Sequence, residues 1–389
     1  MSAHNSKITS KTYCSEAWRT AHYSENGSIA PCCHFSRALR NNKYKDLDLY
    51  VQSEWVSNMQ TRMLNGEYVS GCENCYSKEM RGEQSQRQLK NKSHGYVTEF
   101  KIQDLQINFG NTCNKTCNIC RPSRSHLIAK QFDKIKNDDP DNILVKLYAH
   151  NKKLSIGSVS NIDIQQYINH LPTVKEIMID GGEPFYTQQC TRLLEYMVEN
   201  NHTDIHLNIN TNGSMSEYQA ELLSKFNYVW LALSIDGIYD LYEMVRSPHN
   251  WDWWLSYHDV ILKNNFNRTY NCVVHCLNVH QVPDMIDYFV SNRKPENNQI
   301  FKFNSIVGND YLTTNIVPVS VLQDTIHKIK QRYDMCSTIE KLNLGSVVEH
   351  INYSIKNRNG DYDSFRKAIA TMSKTKNIDY QKYLPWSIE

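Results

Sequence analysis

Short apolar runs alternate with longer amphipathic segments between about residue 100 and residue 310. The runs end in turn-forming residues, and the segments between them repeat apolar residues at helical spacing. Strands that alternate with helices predict a parallel sheet, either open or curled into a partial barrel. The six predicted strands are Leu105–Phe109, Glu176–Asp180, Ile205–Asn210, Tyr228–Ile235, Asn271–Leu277 and Ile300–Ile306.

The regions on either side of this pattern have a different texture. The N-terminal part is polar and irregular, with a hairpin signal at Glu25–Gly27 and a polar, linker-like stretch at Glu83–Ser93. The segment Arg124–Pro172 is long for one crossover and predicts extra helices, and the chain after about residue 315 is helical and charged. The predicted organisation is an N-terminal module over 1–95, a barrel over 96–312 and a helical segment over 313–389.

Charge and hydrophobicity narrow the classes of partner. The 389 residues include 43 Lys and Arg against 41 Asp and Glu, for a net charge of +2, which argues against an extended nucleic-acid groove. No stretch approaches the roughly 18 apolar residues of a membrane span. The first residues lack the apolar core of a signal peptide, so we expect a cytoplasmic protein without a membrane partner.

Cysteine is the residue type that points most directly to chemistry. Clustered cysteines in a reducing compartment are typical of metal ligands or redox groups rather than disulfides. Four of the twelve cysteines are scattered, and we expect them to be buried packing residues. The eight clustered cysteines are Cys14, Cys32, Cys33, Cys72, Cys75, Cys113, Cys117 and Cys120.

The second cluster of cysteines directly follows the first predicted barrel strand. Cys113, Cys117 and Cys120 form a C-x3-C-x2-C triplet. Three thiolates can hold three irons of a [4Fe–4S] cluster and leave the fourth iron open to a ligand. Structural zinc usually takes four protein ligands, and only His126 is near enough in sequence to be a fourth. The triplet therefore predicts an iron–sulfur site at the carboxyl end of a strand.

The motifs that follow the triplet extend this prediction. Gly181-Gly182-Glu183-Pro184, Asn210–Gly213 and Ser234–Gly237 come in order after the second, third and fourth predicted strands. Together with the triplet they resemble the radical S-adenosylmethionine (radical SAM) enzymes. The resemblance implies an α/β fold with a partial (β/α)6 barrel, and a [4Fe–4S] cluster and SAM as cofactors. The SAM contacts that it implies are Ile119, Gly181, Gly182, Glu183, Asn210, Ser234, Asp236, Arg246 and Asn278.

The same resemblance suggests what individual residues would bind. The Gly-Gly-Glu segment would hold the amino group of SAM, because glycines permit close backbone approach and a carboxylate accepts from an ammonium. Ser234 and Arg246 would bind the methionine carboxylate, for which a guanidinium is well suited. Ile119 departs from the aromatic residue that many relatives carry at that position, but it can still pack on adenine.

The N-terminal cysteines resemble a second feature of some radical SAM enzymes. Cys14, Cys32, Cys72 and Cys75 are similar to the first half of SPASM/twitch modules, which hold an auxiliary [4Fe–4S] cluster, although the module here precedes the barrel. The nearby Glu79, Ser85 and Arg87 resemble the twitch type in particular. The Gly27-x4-Cys32 spacing favours Cys32 over Cys33 as the ligand, since adjacent strand residues face opposite sides. A zinc site held by the same four thiolates remains an alternative.

Three functions follow from this sequence. The first is a radical SAM enzyme that cleaves SAM reductively and abstracts hydrogen from a peptide or protein side chain, with a reducing partner such as flavodoxin or ferredoxin. The second is the same chemistry on a small metabolite or nucleotide. The third is a non-catalytic zinc- or iron–sulfur-binding interaction protein on a degenerate barrel, against which the intact triplet and glycine motif argue. No residue is assigned a catalytic role.

Overall fold

The computed structural model describes residues 10–24, 27–36, 46–148, 164–293, 299–306 and 310–386. Within these residues eight strands form one sheet, in the order β2-β1-β3-β4-β5-β6-β7-β8. The strands are β1 (Thr20–Tyr23), β2 (Ile29–Ala30), β3 (Asp104–Asn108), β4 (Glu176–Asp180), β5 (His206–Thr211), β6 (Val229–Ser234), β7 (Asn267–Val274) and β8 (Gln299–Ser305).

The sheet is an open parallel sheet of the partial-barrel kind. Strand β1 and strands β3 to β8 are parallel, whereas β2 pairs antiparallel with β1. Strands β3 to β8 are the six predicted strands, with ends shifted by at most four residues, and this prediction is confirmed. Because these strands are parallel, the loops that follow them meet at one edge of the sheet, where barrel active sites are built.

Helices connect the strands and complete the C-terminal part. The helices are α1 (Glu16–Arg19), α2 (Leu47–Val51), α3 (Glu54–Leu64), α4 (Glu73–Met80), α5 (Gln86–His94), α6 (His126–Asp138), α7 (Ile143–Leu147), α8 (Gln165–Ile168), α9 (Gln188–Glu199), α10 (Glu217–Leu223), α11 (Asp240–Val245), α12 (Trp251–Lys263), α13 (Val282–Ser291), α14 (Val319–Gln331), α15 (Thr338–Lys356) and α16 (Tyr362–Lys376). Helices α6 to α8 are the extra helices expected between β3 and β4. None of the described helices is long and apolar enough to cross a membrane.

The first two strands extend the barrel sheet. His22 and Tyr23 pair with Ala30 and Ile29 as the two arms of a hairpin, which the sequence predicted. Glu25 and Asn26 of the turn lie outside the described residues. Strand β1 also pairs in parallel with β3 over its whole length, so residues of the predicted N-terminal module are hydrogen-bonded into the sheet of the barrel.

The stretch Glu83–Ser93 is mostly helical, so its prediction as a linker was wrong. Helix α5 begins with a capping box in which the Ser85 hydroxyl accepts from the Gln88 backbone amide and the Gln88 side chain accepts from the Ser85 amide. Arg87 is buried and forms an ion pair with Glu79 of α4. This ion pair anchors a helix whose polar sequence lacks an apolar face.

A network of charged side chains, in which the two carboxylates are buried, joins α1, α5 and the start of β3. Glu16, His94 and Asp104 place their ligand-type atoms within 4.8 Å of one another. Arg19 Nε lies 3.2 Å from Asp104 Oδ2, and Lys90 Nζ lies 4.0 Å from Glu16 Oε1. Burial raises the pKa of Glu16 to about 7, and the Lys90 ammonium opposes the shift. Two cations thus face two carboxylates where the N-terminal segment meets the barrel.

Helix α15 protects the last strand of the sheet. Asn343 accepts from the Phe303 backbone amide at 2.7 Å and donates to the Phe303 carbonyl at 2.8 Å. The buried Glu340 accepts from the Phe301 amide at 3.2 Å and forms an ion pair with Arg293. These side chains satisfy backbone groups of an edge strand that would otherwise be open to pairing with another chain.

Candidate active site

The cysteine triplet occupies a loop that is tied to its surroundings by backbone hydrogen bonds. We call residues 113–120, which follow β3, the cluster loop. The Thr116 amide donates to the Ser247 carbonyl at 2.7 Å, and the Asn118 amide donates to the Val245 carbonyl at 3.0 Å. The Cys113 amide donates to Nδ1 of His126 at 3.1 Å. His126 is therefore engaged with the loop backbone through one of its ring nitrogens.

A cleft of about 1200 Å³, counted with its open mouth, lies at the carboxyl ends of the parallel strands. It joins all three cysteines of the triplet to six of the nine residues expected to contact SAM. Those six are Ile119, Gly181, Gly182, Asn210, Ser234 and Arg246. The cleft is also lined by Thr211 and Asn212 of the Asn210–Gly213 motif. Five further lining residues were not identified from the sequence, namely Lys115, Arg121, Ser123, Arg124 and Asp180.

The glycine pair after β4 lies directly against the backbone that leads into the cluster loop. The Gly182 amide donates to the Gly110 carbonyl at 2.7 Å. A Cβ on Gly182 would lie 2.3 Å from the carbonyl oxygen of Thr112, and Gly181 has a φ of +145°. Only glycine permits this approach, so the two loops form one rigid wall of the cleft.

Glu183 does not line the cleft, although we expected it to contact SAM. One of its carboxylate oxygens accepts from Thr211 Oγ1 at 2.6 Å, and the other accepts from the Asn212 amide at 2.6 Å. Burial raises its pKa, and these donors oppose the shift. The carboxylate is therefore engaged within the protein, where it joins the glycine loop to the end of β5.

Asp236 and Asn278 also lie outside the lining of the cleft. Asp236 accepts from Nε of Arg246 at 2.9 Å and from the Val273 amide at 2.8 Å. Asn278 donates to the backbone carbonyls of Asp236 and Val273, both at 2.9 Å. Their polar groups brace Arg246 and the ends of β6 and β7, and direct SAM contacts from them stay a prediction.

Lys115 is a buried cation inside the cluster loop. Its side chain is 1% exposed, and its ammonium has no hydrogen-bond partner among the described residues. The ammonium lies 3.8 Å from the ring centroid of Trp253 and 5.0 Å from that of Tyr242, which is cation–π geometry. Burial lowers the pKa of Lys115 to about 7, although the nearby thiol of Cys117 opposes the shift. The only sequence signal for this residue was its position between two cysteines of the triplet.

Two thiols of the triplet, those of Cys113 and Cys120, are held in surroundings that disfavour bare thiolates. Burial raises the pKa of Cys120 to about 11, and it raises the pKa of Cys113 well above its ordinary value. Metal coordination requires thiolates, and a bound cation supplies the compensating charge. The donor set is therefore suited to a positively charged metal group rather than to a free reactive thiolate.

The four cysteines expected to form the auxiliary site are also near one another. Cys14 precedes α1, Cys32 follows β2, and Cys72 and Cys75 lie at the start of α4. Burial raises the pKa of Cys14, and the thiols of Cys72 and Cys75 contribute to the rise. Burial likewise raises the pKa of Cys32, with contributions from Cys14, Cys33 and Cys72. The thiols affect one another's pKa because the fold places them close together, although their segments are far apart in sequence.

Helix α5 supports the segment that carries Cys14. The Arg87 side chain donates to the carbonyl of Tyr13 at 2.6 Å, and Asn91 donates to the same carbonyl at 2.9 Å. Nε of Arg87 donates to the Glu79 carboxylate at 3.0 Å. The Glu79, Ser85 and Arg87 positions noted in the sequence thus meet in space beside the N-terminal thiols.

One known protein family matches part of the chain. The model of the Radical SAM superfamily matches residues 107–289. This stretch runs from β3 into α13 and contains the cysteine triplet, the glycine pair and Arg246. Residues 107–289 are therefore similar to the radical SAM superfamily domain.

Solved structures and one curated protein also match. Streptococcus suis SuiB bound to S-adenosylmethionine is 15% identical with a TM-score of 0.36, over 69% of this chain and 51% of that chain. Histidine-tagged anSMEcpe with bound AdoMet is 14% identical with a TM-score of 0.41, over 60% of this chain and 58% of that chain. The CD2 homolog of African swine fever virus (isolate Warthog/Namibia/Wart80/1980) is 26% identical over 128 residues, which are 33% of this chain and 30% of that protein. The chain thus spans little more than half of these solved structures and less than a third of the viral protein, and these likenesses carry no argument about function.

Proposed function

We propose that this protein is a radical SAM enzyme that abstracts hydrogen from a peptide or protein side chain. The observation that carries the proposal is the single cleft that joins Cys113, Cys117 and Cys120 to the glycine pair, Ser234 and Arg246. The match of residues 107–289 to the superfamily supports the same chemistry. When bound, a three-thiolate [4Fe–4S] cluster supplies the electron that cleaves SAM to methionine and a 5′-deoxyadenosyl radical.

The residues around the cleft fit a [4Fe–4S] cluster, which is anionic overall once the charges of its three thiolates are counted. Lys115 has a buried ammonium without a hydrogen-bond partner among the described residues, and the thiols of Cys113 and Cys117 lie within its electrostatic reach. A buried unpaired charge is costly, so a cluster with three thiolates provides the negative charge that this lysine lacks. The cation thus helps to hold the thiols in their deprotonated form.

The other residues of the cleft would bind and orient SAM. The backbone of Gly181 and Gly182 offers a close contact surface for its amino group. Ser234 and Arg246 face the cleft and are suited to its carboxylate, while Asp236 holds the guanidinium in place. The side chain of Ile119 offers an apolar surface for adenine.

The N-terminal thiols would hold an auxiliary [4Fe–4S] cluster. Around a tetrahedral zinc ion, thiolate sulfurs lie about 3.8 Å apart, given Zn–S bonds of about 2.3 Å. Among the described residues, Glu16, His94 and Asp104 place three ligand atoms within 4.8 Å of one another. Neither set of cysteines forms such a compact group among those residues. Zinc held by the same four thiolates is the alternative, and iron, sulfide and zinc analysis of the purified protein separates the two.

A peptide or protein side chain is the proposed substrate because of the N-terminal module. The cysteine pattern resembles SPASM/twitch modules, whose enzymes often modify peptides. A small metabolite or nucleotide is the outcome that would replace this proposal.

The primary test is the formation of 5′-deoxyadenosine by anaerobically reconstituted protein given dithionite and SAM. We expect slow release of 5′-deoxyadenosine without substrate. Deuterium transfer from a labelled candidate peptide into 5′-deoxyadenosine would identify the substrate class. A cluster-replete protein that forms no 5′-deoxyadenosine would contradict the proposed enzyme, and a zinc-only, colourless protein would favour a binding module.

Replacing Arg246 with alanine should weaken SAM binding by about 10- to 150-fold, since one charge-assisted contact is worth roughly 1.5–3 kcal/mol. Equilibrium dialysis of cluster-replete protein with labelled SAM measures the effect. The variant also leaves Asp236 buried without its cation, so the paired variant Asp236→Asn/Arg246→Met checks for misfolding. The exposed Arg192→Ala is the control, and unchanged affinity in both Arg246 variants would remove Arg246 from the SAM site.

Cys32 and Cys33 are adjacent and provide a matched pair for the auxiliary site. Cys32→Ala should lose about four irons, the content of one cluster, and should keep SAM cleavage, because the SAM cleft is built from other residues. Cys33→Ala should keep all its iron. Iron and sulfide analysis with a 5′-deoxyadenosine assay measures both. If Cys33→Ala loses the iron and Cys32→Ala keeps it, the spacing argument has selected the wrong cysteine.

A further inference from the structure

The outer side of the cluster loop is held by the C-terminal helix. The Lys376 ammonium, at the end of α16, donates to the carbonyl of Thr116 and to the side-chain oxygen of Asn118. The Tyr380 hydroxyl donates to the same oxygen of Asn118 at 2.8 Å. Three hydrogen bonds from one short segment therefore end on the cluster loop, on either side of Cys117.

The opposite side of the loop is held by the segment that carries Arg246. The Asn118 side chain donates to the Met244 carbonyl at 3.2 Å, in addition to its backbone bond to Val245. Thr116 and Ser247 hydroxyls lie 2.9 Å apart. The loop is thus clamped between the SAM side of the domain and α16, and Asn118 contacts both.

The surroundings of this clamp are largely apolar. A small second cavity, of about 40 Å³, lies between the cluster loop, α6, α7 and α16. Phe132, Ile135 and Met372 line it together with Cys117 and Cys120. A positive charge in such surroundings acts on nearby charges more strongly than it would in water, because the local dielectric constant is low.

We propose that α16 is a functional part of the cluster site, in which Lys376 is a positioning residue that raises the reduction potential of the [4Fe–4S] cluster. The proposal rests on the proposed function. Reduction adds one electron from an external donor to a cluster that already carries three thiolates, so the reduced form is the more negative one. A cation beside the cluster loop stabilises that form, and net charge and hydrogen bonding are recognised determinants of cluster potential.

This role assigns a task to a region beyond the superfamily match. Residues 107–289 contain the cysteine triplet and the residues that line the SAM cleft, whereas Lys376 and Tyr380 lie in the C-terminal segment. The cluster loop would therefore receive one of its charges from outside the matched domain. The potential of the cluster would depend on how α16 packs against the barrel.

The test is a redox titration of reconstituted protein. It is monitored by electron paramagnetic resonance, through the signal that changes when SAM is added. That response identifies the cluster of the triplet. At the potential where the wild type is half reduced, Lys376→Met should have an about tenfold lower ratio of reduced to oxidised cluster, which is 59 mV for one electron. Lys376→Arg and Tyr380→Phe keep the charge and should stay within about twofold of the wild type.

Lys374→Met is the matched control, because Lys374 lies on the same helix and is exposed. Lys376→Gln keeps a donor without the charge, and it should shift as Lys376→Met does. A wild-type potential in both Lys376→Met and Lys376→Gln would overturn the inference, as would loss of the cluster in Lys376→Arg as well as in Lys376→Met. If the wild type has no SAM-responsive cluster, the proposed function fails instead, whatever the Lys376 variants do.

Discussion

Replacing Cys113, Cys117 and Cys120 with alanine is expected to abolish 5′-deoxyadenosine formation and to halve the iron content. Reconstituted wild type should hold about eight irons, and the triple variant about four, by counting four per cluster. The reason is that the three thiols are the ligand set that lines the cleft, whereas the N-terminal thiols form a separate group. Iron and sulfide analysis and chromatography of the reaction products measure the two effects.

The matched comparison is a variant of the N-terminal set. Cys72→Ala should also lose about four irons, yet it should retain SAM cleavage, because Cys72 does not line the cleft. The two variants thus lose the same amount of iron but differ in activity. If the triple variant kept all of its iron, the division of the cysteines into two ligand sets would be wrong.

Gly182→Ala is expected to reduce SAM cleavage about 100-fold or more, although it adds a single methyl group. The new Cβ would lie 2.3 Å from the carbonyl oxygen of Thr112 and 2.7 Å from the carbonyl carbon of Asn111. Both are backbone atoms of the segment that enters the cluster loop, so they cannot rotate away as a side chain would. A shift of about 1 Å in a catalytic wall can cost about 10²-fold in rate.

Gly345→Ala is the control for this substitution. Gly345 lies inside α15. Apart from its two chain neighbours and the nearby backbone of the helix itself, no atom of the described residues lies within 4 Å of where its Cβ would be. Alanine should stabilise this helix by up to about 1 kcal/mol and leave SAM cleavage unchanged. Thermal unfolding and the 5′-deoxyadenosine assay measure the pair. Wild-type SAM cleavage in Gly182→Ala would show that the two loops need not pack so closely.

Much of the barrel and of its candidate site could be predicted from the sequence because the signals are local. Each strand from β3 to β8 is a short apolar run bounded by turn residues, and Glu176–Asp180 was predicted to the residue. The cysteine triplet and the glycine pair directly follow strands. Parallel strands bring their carboxyl ends to one edge, so strand order alone placed these motifs together.

The sequence did not show the partners of a side chain where those partners are distant along the chain. Glu183, Asp236 and Asn278 are each engaged by donors or acceptors within the protein, and their expected contacts with SAM stay a prediction. A motif shows that a carboxylate is present at a position but not which donors surround it. Helix α5 was missed for the same reason, since its buried Arg87 is paired with Glu79 of another helix.

The amino-acid sequence by itself determined the strand pattern, the spacing of the thiols and the glycines that permit close backbone contact, because these depend on neighbouring residues. Only the tertiary structure decided which charges meet at the cluster loop. Lys115 lies inside the triplet and becomes a buried cation only when Trp253 covers it, and Lys376 reaches Thr116 only when α16 folds back onto the barrel. Electrostatic interactions act through space and depend on burial, so no local pattern along the chain records them.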